Sequence, residues 1–473
     1  MEKKVLMVNP PTGLFIRDDR CQSDVGNFLI SVTRPPHELL TMAAVLEGHG
    51  YEVIIRDYPI EKKSVWDYEL DLKEILPDIL VINGTIPTLK DDIACAQIAK
   101  KIKKDLIVIL RCGMIENIAG KVMENESSID AVFYGETDFT LYEFLEYEDK
   151  NRVRGVFYRY KGSISKTDKR PFLKDLDAIP IVNRGLIKNE LYKRPDNGRP
   201  LGLIEVSRGC PYQCIFCLTS FAYGKDHRRR SVEKIIEEIE LCNHEHNIFD
   251  FHFKSDLFSL DRKWVIDLCR GIIDKNLKIR WFANSRVDTL DDHMLNMMKE
   301  SGCFALSLGV ESSSQYILDK IKKDITVSDI EEAFSLCRKN GIQTYAYFII
   351  GFPWDTEDTI GETISFSRKI APDYLDFFLP SAFEGTELFQ IIKENGLIDN
   401  YSASGVSRDS YTGSQCPTLS LTRERLIELR KKALRGFYVR PGYVLERLKL
   451  AGSFRERMCI LRYGISSLSK IIG

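Results

Sequence analysis

The stretch Gly202-Leu203-Ile204-Glu205-Val206-Ser207-Arg208-Gly209-Cys210-Pro211-Tyr212-Gln213-Cys214-Ile215-Phe216-Cys217 decides how this chain is read. Its first five residues form a short apolar run of strand character, and the rest is a glycine-led loop with cysteines spaced C-x3-C-x2-C. Three thiolates at this spacing wrap one cubic iron–sulfur cluster. Such clusters normally take four thiolates, so one iron is left open to a small molecule. The competing reading is a zinc site with a distant fourth ligand, but structural zinc sites usually bring a second ligand pair and no other C-x2-C occurs.

Downstream of this strand the pattern repeats. Strand-like runs at Asp250–Phe253, Ile279–Ala283, Ala305–Val310, Thr344–Ile350 and Tyr374–Leu379 alternate with helical periodicity at Val232–Asn243, Arg262–Lys275, Asp291–Ser301, Ser328–Asn340 and Thr356–Ile370. Ser328 with Glu331 reads as a capping box. Six strand–helix steps predict a complete or partial βα barrel with its active site at the carboxyl ends of the strands, where the cysteine loop lies.

Upstream, Val5–Val8, Val53–Ile55, Ile79–Ile82, Ile107–Leu110 and Ala131–Tyr134 read as strands. Leu39–His49, stopped at Gly50, and Lys90–Lys103 read as helices, which together predict a doubly wound domain of Rossmann-like size. A hairpin at Val156–Tyr160 and Ile164–Ser165, followed by Pro171, Pro180 and Pro195, reads as part of a linker. The expected units are therefore 1–150, a linker over 151–199, a barrel over 200–400 and a helical region over 401–473.

The whole-chain properties are ordinary for a soluble globular protein. Of 473 residues 44% are apolar and 29% charged, and Lys+Arg 67 against Asp+Glu 69 gives a net charge of -2, so no nucleic-acid partner is expected. Met1-Glu2-Lys3-Lys4 runs straight into a strand without the features of a secretory signal, and no apolar run reaches the roughly 18–20 residues of a membrane span. A cytoplasmic location follows as an expectation, with the 12 cysteines reduced. Nine lie outside the loop, scattered singly, and read as core residues; Cys416, between Gly413 and Pro417, is the one candidate reactive thiol.

From Leu201 to Leu397 the chain resembles the radical-SAM superfamily. The resemblance implies a [4Fe–4S] cluster on Cys210, Cys214 and Cys217, with S-adenosylmethionine chelated by the open iron. It implies that Phe216 lies near the adenine, that Ser255 and Asp256 meet the methionine amino group, and that Asn284 and Arg286 hold its carboxylate. Ser255 stands where relatives often carry an acid. Glu311 would bind the ribose and Gly351 the adenine through its backbone.

The segment Val5-Leu6-Met7-Val8-Asn9-Pro10-Pro11, with Arg34-Pro35-Pro36 and the helix before Gly50-Tyr51-Glu52-Val53, resembles the cobalamin-binding domain found ahead of many such barrels. That resemblance implies a corrin beside Gly84, Thr85, Gly113, Gly135 and Glu136. The chain departs from the Asp-x-His-x-x-Gly motif, having Arg56-Asp57-Tyr58-Pro59-Ile60-Glu61, so either cobalamin is held without a histidine ligand or the fold persists without the cofactor. The implied fold class is α/β: a doubly wound Rossmann-like domain, a partial TIM-type barrel and a helical tail.

These features imply a radical enzyme that methylates or remodels an unactivated carbon of a small-molecule or amphiphilic substrate, with a flavodoxin- or ferredoxin-like electron donor. Cyclisation, rearrangement and carbon–carbon coupling stay open. A methylthiotransferase ranks low because Cys21, Cys95 and Cys112 do not form its amino-terminal cluster pattern, and a pure electron carrier needs no open iron. The basic and apolar tail, with Arg430, Arg440, Arg447, Arg455 and Arg462, reads either as a cap on the barrel or as a surface for an anionic membrane.

Overall fold

Val5, Leu6, Met7 and Val8 are all fully buried, as a strand covered on both faces requires. The computed structural model describes residues 3–19, 21–27, 32–113, 116–397, 416–450 and 457–458. In chain order the strands are β1 (Lys4–Asn9), β2 (Phe15–Asp18), β3 (Cys21–Asp24), β4 (Glu52–Asp57), β5 (Ile79–Asn83), β6 (Ile107–Arg111), β7 (Ala131–Phe133), β8 (Val156–Tyr160) and β9 (Ser163–Lys166). They continue as β10 (Leu201–Glu205), β11 (Ser207–Arg208), β12 (Arg228–Arg229), β13 (Asp250–Lys254), β14 (Arg280–Ser285), β15 (Cys303–Glu311), β16 (Gln343–Ile349) and β17 (Tyr374–Phe378).

The first sheet has the order β4-β1-β5-β6-β7-β8-β9, parallel through β7. Helices His37–Glu47 and Thr140–Glu146 pack on one face, and Val65–Ile75, Leu89–Ile102 and Glu116–Asn125 on the other, giving the expected doubly wound domain. The predicted hairpin exists but is not linker: β8 pairs antiparallel with β7, so the sheet continues to Lys166. Its inward residues Val156 and Tyr158 join the core, which is why it docks.

The second sheet is all parallel in the order β10-β13-β14-β15-β16-β17, the partial barrel the alternation predicts. β14 and β16 alternate buried and half-buried residues, one face against the outer helices and the other toward the lumen. Helix Arg423–Tyr438 covers the exposed edge beyond β17: the Tyr438 hydroxyl donates to Leu375 O at 2.6 Å and accepts from Leu375 N at 2.9 Å.

One cap differs from expectation. The helix starts at Val327, so its N-cap is Thr326, which forms a capping box with Asp329, and Ser328 falls inside the first turn. No helix among the described residues is long and apolar enough to cross a membrane.

Candidate active site

The cysteine loop leaves β10 and passes through the two-residue ladder of β11 with β12. Gly209 carries φ +90, and a Cβ there would lie 2.1 Å from Asp226 O, so only glycine permits the turn into Cys210. The loop is anchored on all sides: Gly209 N donates to Asp256 Oδ2 at 2.7 Å, Cys210 N to Gly224 O at 3.2 Å and Ile215 N to Ile321 O at 3.1 Å. Cys210, Cys214 and Cys217 are partly exposed, whereas every other described cysteine, Cys416 included, is buried. Cys459 and the side chain of Cys21 lie outside the described residues.

The three thiols feel one another electrostatically, and burial pushes Cys210 up to about 12. Burial also raises Cys214, against the pull of Lys323 and Arg286. Thr219 N donates to Cys217 Sγ at 3.5 Å. Among the described residues no three His, Cys, Asp or Glu side chains close around a single metal ion. A cube spreads its thiolates wider than one ion does, and three partly exposed thiols on one braced loop with two cations beside them suit such an anionic group.

Around this loop the structure brings the implied S-adenosylmethionine residues to the same end of the barrel, with distinct surroundings. Phe216 lies 5.6 Å from Phe352, ring centre to ring centre, which joins the loop to the Gly351-Phe352 segment. Gly351 has φ +100, and its amide donates to Asp355 Oδ2 at 2.9 Å. Asn284 is half-buried at the end of β14.

Ser255 is buried against Ser207, Oγ to Oγ 2.6 Å, and accepts from Leu257 N. Asp256 braces the loop, accepting also from Thr219 Oγ1 at 3.3 Å. Arg286 is engaged through Nε and Nη2 with Asp288, at 2.9 and 3.0 Å, and with Lys323 O at 2.7 Å, while its guanidinium stacks 3.5 Å over the Tyr212 ring. It therefore does not present a free fork.

Glu311 adopts φ +64 and pairs with Lys323 Nζ at 2.7 Å, both buried. A non-glycine residue held in that region stores strain, a common mark of a binding site. Lys323 lies in the charged run Ile321-Lys322-Lys323-Asp324, which in sequence looks like a solvated surface.

Facing the barrel mouth is the carboxyl edge of the first sheet. Its strand ends form a side-chain ladder in sheet order: Asn9 Nδ2 donates to Asp57 Oδ2 at 3.0 Å, Asn83 Nδ2 to Asn9 Oδ1 at 2.9 Å and Arg111 Nη1 to Asn83 Oδ1 at 3.2 Å. Burial raises Asp57 above the usual carboxylate range despite bonds from Tyr192 and Asn9. Beside β1 and β5, where the strand order reverses, lies an open crevice shared with Leu203 and Lys254 of the barrel. Its lining is mixed: Leu14, Phe15, Ile16 and Pro36 are apolar, Asn9 and Asn83 are amides, and Arg17, Asp18, Arg34, Glu38, Asp57 and Lys254 are charged. Apolar walls with hydrogen-bonding groups around them fit a large ring with polar side groups, as a corrin is.

The glycines and acid implied to flank a corrin have close neighbours within the protein. A Cβ on Gly84 would meet Leu110 at 2.7 Å, one on Gly113 the Asp19 carboxyl at 2.4 Å, and one on Gly135 the Lys169 chain at 3.5 Å. Thr85 is buried, bonded to Thr88 and Asp92. Glu136 is buried in a forked pair with Arg228. The contact at Gly135 is an ordinary one, and Glu136 lines a small hollow with Asp19, Thr137 and Asp138, while the crevice described above opens beside Asn9, Asp57 and Asn83.

Sequence reading missed the ion cluster joining the two sheets. Lys254, at the end of β13, reaches Glu38 Oε1 at 2.8 Å, Glu205 Oε1 at 3.1 Å and Asp18 Oδ2 at 3.6 Å. Burial acts to lower its pKa, but these acids hold it well above the ordinary value. Burial acts to raise Glu205, and Arg208 and Lys254 outweigh it, so Glu205 stays well below the carboxylate range. The one available signal was a lysine ending an otherwise buried apolar strand.

The family model for the radical SAM superfamily matches residues 204–367. An uncharacterized methyltransferase of Pyrococcus horikoshii is 31% identical over 476 residues, covering 99% of this chain and 98% of that protein. An anaerobic magnesium-protoporphyrin IX monomethyl ester cyclase of Rubrivivax gelatinosus is 27% identical over 378 residues, 77% of this chain and 67% of that one. Among solved structures, the radical S-adenosylmethionine methyltransferase TsrM of Kitasatospora setae, with cobalamin and a [4Fe–4S] cluster bound, superposes at a TM-score of 0.75 and 16% identity over 99% of this chain and 100% of that one. With the cysteine loop at the mouth of a six-strand barrel and a doubly wound domain facing it, the chain belongs to the radical SAM superfamily, as an enzyme with an amino-terminal domain of the cobalamin-binding type.

Proposed function

We propose that the chain is a cobalamin-dependent radical S-adenosylmethionine methyltransferase that adds a methyl group to an unactivated carbon of a small-molecule or amphiphilic substrate. The observation that carries this reading is the facing of two carboxyl edges: the cysteine loop on one side, the crevice of the first sheet on the other, joined by Lys254. A three-thiolate [4Fe–4S] cluster supplies the open iron and the electron that cleave S-adenosylmethionine, and a corrin supplies a methyl group in a form a carbon radical accepts.

The chain's own residues hold and enclose. Cys210, Cys214 and Cys217 are the cluster ligands, Asp256 and Thr219 brace their loop, and Lys323 and Arg286 offset the negative charge of a thiolate cluster. Glu311, held by Lys323, offers its second carboxylate oxygen to a ribose hydroxyl, and the Phe216–Phe352 pair offers an apolar wall to adenine. A corrin would seat in the crevice beside Asn9, which Asn83, itself fully buried, holds in place. The Pyrococcus relative's name and the fold likeness to TsrM support methylation; the cyclase relative keeps remodelling without methyl transfer as the alternative.

The electron for a cluster held by these thiols would come from a flavodoxin- or ferredoxin-like protein. Among the described residues of the tail, the candidate for contact with an anionic membrane is the helix Pro441–Leu450, where Val444 and Leu445 are exposed beside Lys449. Arg425, Arg430 and Arg447 are instead engaged with Glu357, Phe377 O and Asp373 of the barrel region. Arg455 and Arg462 lie outside the described residues.

Incubation of the reconstituted enzyme with methyl-labelled S-adenosylmethionine and candidate substrates tests the reading. Label in the product, with S-adenosylhomocysteine and 5′-deoxyadenosine both formed, is the expected result. An unlabelled product with 5′-deoxyadenosine alone assigns the chain to remodelling.

A further inference from the structure

The loop over residues 209–227 is bracketed by β11 and β12, and each of these short strands holds one arginine gripped by the first sheet. Arg208 Nη1 and Nη2 donate to Asp138 Oδ2 and Oδ1 at 2.7 and 2.9 Å. Arg228 Nη1 and Nη2 donate to Glu136 Oε2 and Oε1 at 3.1 and 2.7 Å. All four side chains are buried. Glu136 and Asp138 stand two residues apart just beyond β7, so one turn of the amino-terminal domain holds both strands at the base of the cysteine loop.

The residues after β9 add to this grip. Lys169 Nζ donates to Phe221 O at 3.2 Å, and Leu173 N donates to Glu136 Oε2 at 2.7 Å. The Phe172 ring covers Gly224, where a Cβ would lie 2.7 Å from it.

We propose that Glu136 and Asp138 are positioning residues for the cluster loop, so that the orientation of the three thiols is set by the amino-terminal domain as well as by the barrel. The inference rests on the three-thiolate reading above. A forked carboxylate–guanidinium pair fixes a plane as well as a distance, and two such pairs on adjacent strands leave the hairpin no rotation. Buried pairs of this kind add little net stability, because desolvation offsets most of their attraction, so their effect is on geometry.

The chain provides fallbacks that keep variants folded. Arg208 Nε also donates to Glu205 Oε2 at 2.8 Å, and Arg228 donates to Leu173 O at 2.7 Å and Tyr223 O at 2.6 Å. Asp138→Asn therefore leaves Arg208 paired with Glu205, and Glu136→Gln leaves Arg228 hydrogen-bonded to two carbonyls and the new amide oxygen, so each variant loosens its fork while the guanidinium keeps acceptors.

The test compares full-length wild type, Asp138→Asn, Glu136→Gln, the double variant and Glu61→Gln. The last breaks the Lys188–Glu61 tie, which lies outside the hairpin. In metal-free protein, amide exchange over residues 209–227 should rise about tenfold in the double variant while β14 to β16 keep their protection. After anaerobic reconstitution and reduction, the electron paramagnetic resonance g-values of the cluster should shift. Glu61→Gln should change neither. A purely adhesive role would lower the unfolding midpoint yet leave the exchange and the spectrum of the folded double variant at wild-type values, and that result, or equal changes in Glu61→Gln, overturns the proposal. Should the double variant not fold, Glu136→Gln alone is read by the same exchange measurement. Failure of the wild type to take up a cluster sinks the proposed function, while the metal-free exchange still decides the role of the pair.

Discussion

Asp256 accepts the amide hydrogen of Gly209 at 2.7 Å, tying the end of the second barrel strand to the residue before the first cysteine. Its other oxygen takes the Thr219 hydroxyl, so one carboxylate spans the loop from before Cys210 to after Cys217. Asp256→Asn keeps an acceptor for the amide and should retain most of the bound iron. Asp256→Ala keeps none, and its iron content should drop severalfold by chemical assay.

Replacing Cys210, Cys214 or Cys217 with Ala should abolish bound iron and 5′-deoxyadenosine release while circular dichroism stays at wild-type values. A three-thiolate site has no spare ligand, and Cys416, buried with its thiol pushed up to about 11 by that burial, is no substitute. Release of 5′-deoxyadenosine at the original rate by Cys214→Ala would refute the cluster assignment.

Gly209→Ala adds only one carbon, yet that carbon would lie 2.1 Å from Asp226 O on a backbone at φ +90. The loop must move to admit it. Iron incorporation should fall to roughly a tenth or less, whereas Gly361→Ala, in open space on a helix, should leave it unchanged.

Lys323→Met leaves Glu311 buried without its cation and should cost about 3–5 kcal/mol in denaturant unfolding. Adding Glu311→Gln should recover most of that loss. Affinity for S-adenosylmethionine should fall in both proteins, since neither retains a carboxylate held toward the ribose. Stability that does not recover in the double variant would mean the pair acts through packing alone.

Burial pushes the Asp19 carboxyl up to about 6, against the attraction of Arg111 and with repulsion from Glu38 and Asp18. Its folded pKa thus exceeds the unfolded value, so the folded chain holds a proton that the unfolded chain has lost between about pH 4 and 6. The resulting stability is present below about pH 4 and is lost as pH rises through about 6. Asp19→Asn removes this titration and also deprives the buried Arg111 of its carboxylate, so the variant's stability should depend less on pH between about 4 and 6 than that of the wild type, whatever its level at neutral pH. Thermal scans across that range check it.

Legibility followed the distance over which each feature is specified. The six barrel strands and five helices were readable because apolar runs and helical periodicity are local, and the cysteine loop because its ligands fall within eight residues. The polar hairpin of β2 and β3 carries no apolar alternation and left no signal. The partners of the ion cluster could not be read at all: Lys254 and Glu38 are 216 residues apart, Arg208 and Asp138 are 70 apart. The side-chain partners of Glu136 and Arg286, Arg228 and Asp288, were not foreseen either. A charged residue at a strand end is conspicuous in sequence, but whether it faces a ligand or another side chain depends on a chain segment far away.

The ladder across Asp57, Asn9, Asn83 and Arg111 bears on how the first sheet finds its alignment during folding. β1 is apolar from Val5 to Val8, and these four residues would pair with their neighbours almost equally well if shifted by one residue. The strand ends remove that ambiguity. In the native alignment Asn9 stands opposite Asp57 and Asn83 opposite Arg111. A one-residue slip of β1 would set Val8 or Pro10 at that level and strand the buried amide and carboxyl, at about 1–3 kcal/mol for each bond left unmade. Four polar residues at the rim thus select one pairing for a hydrophobic strand that would otherwise accept several.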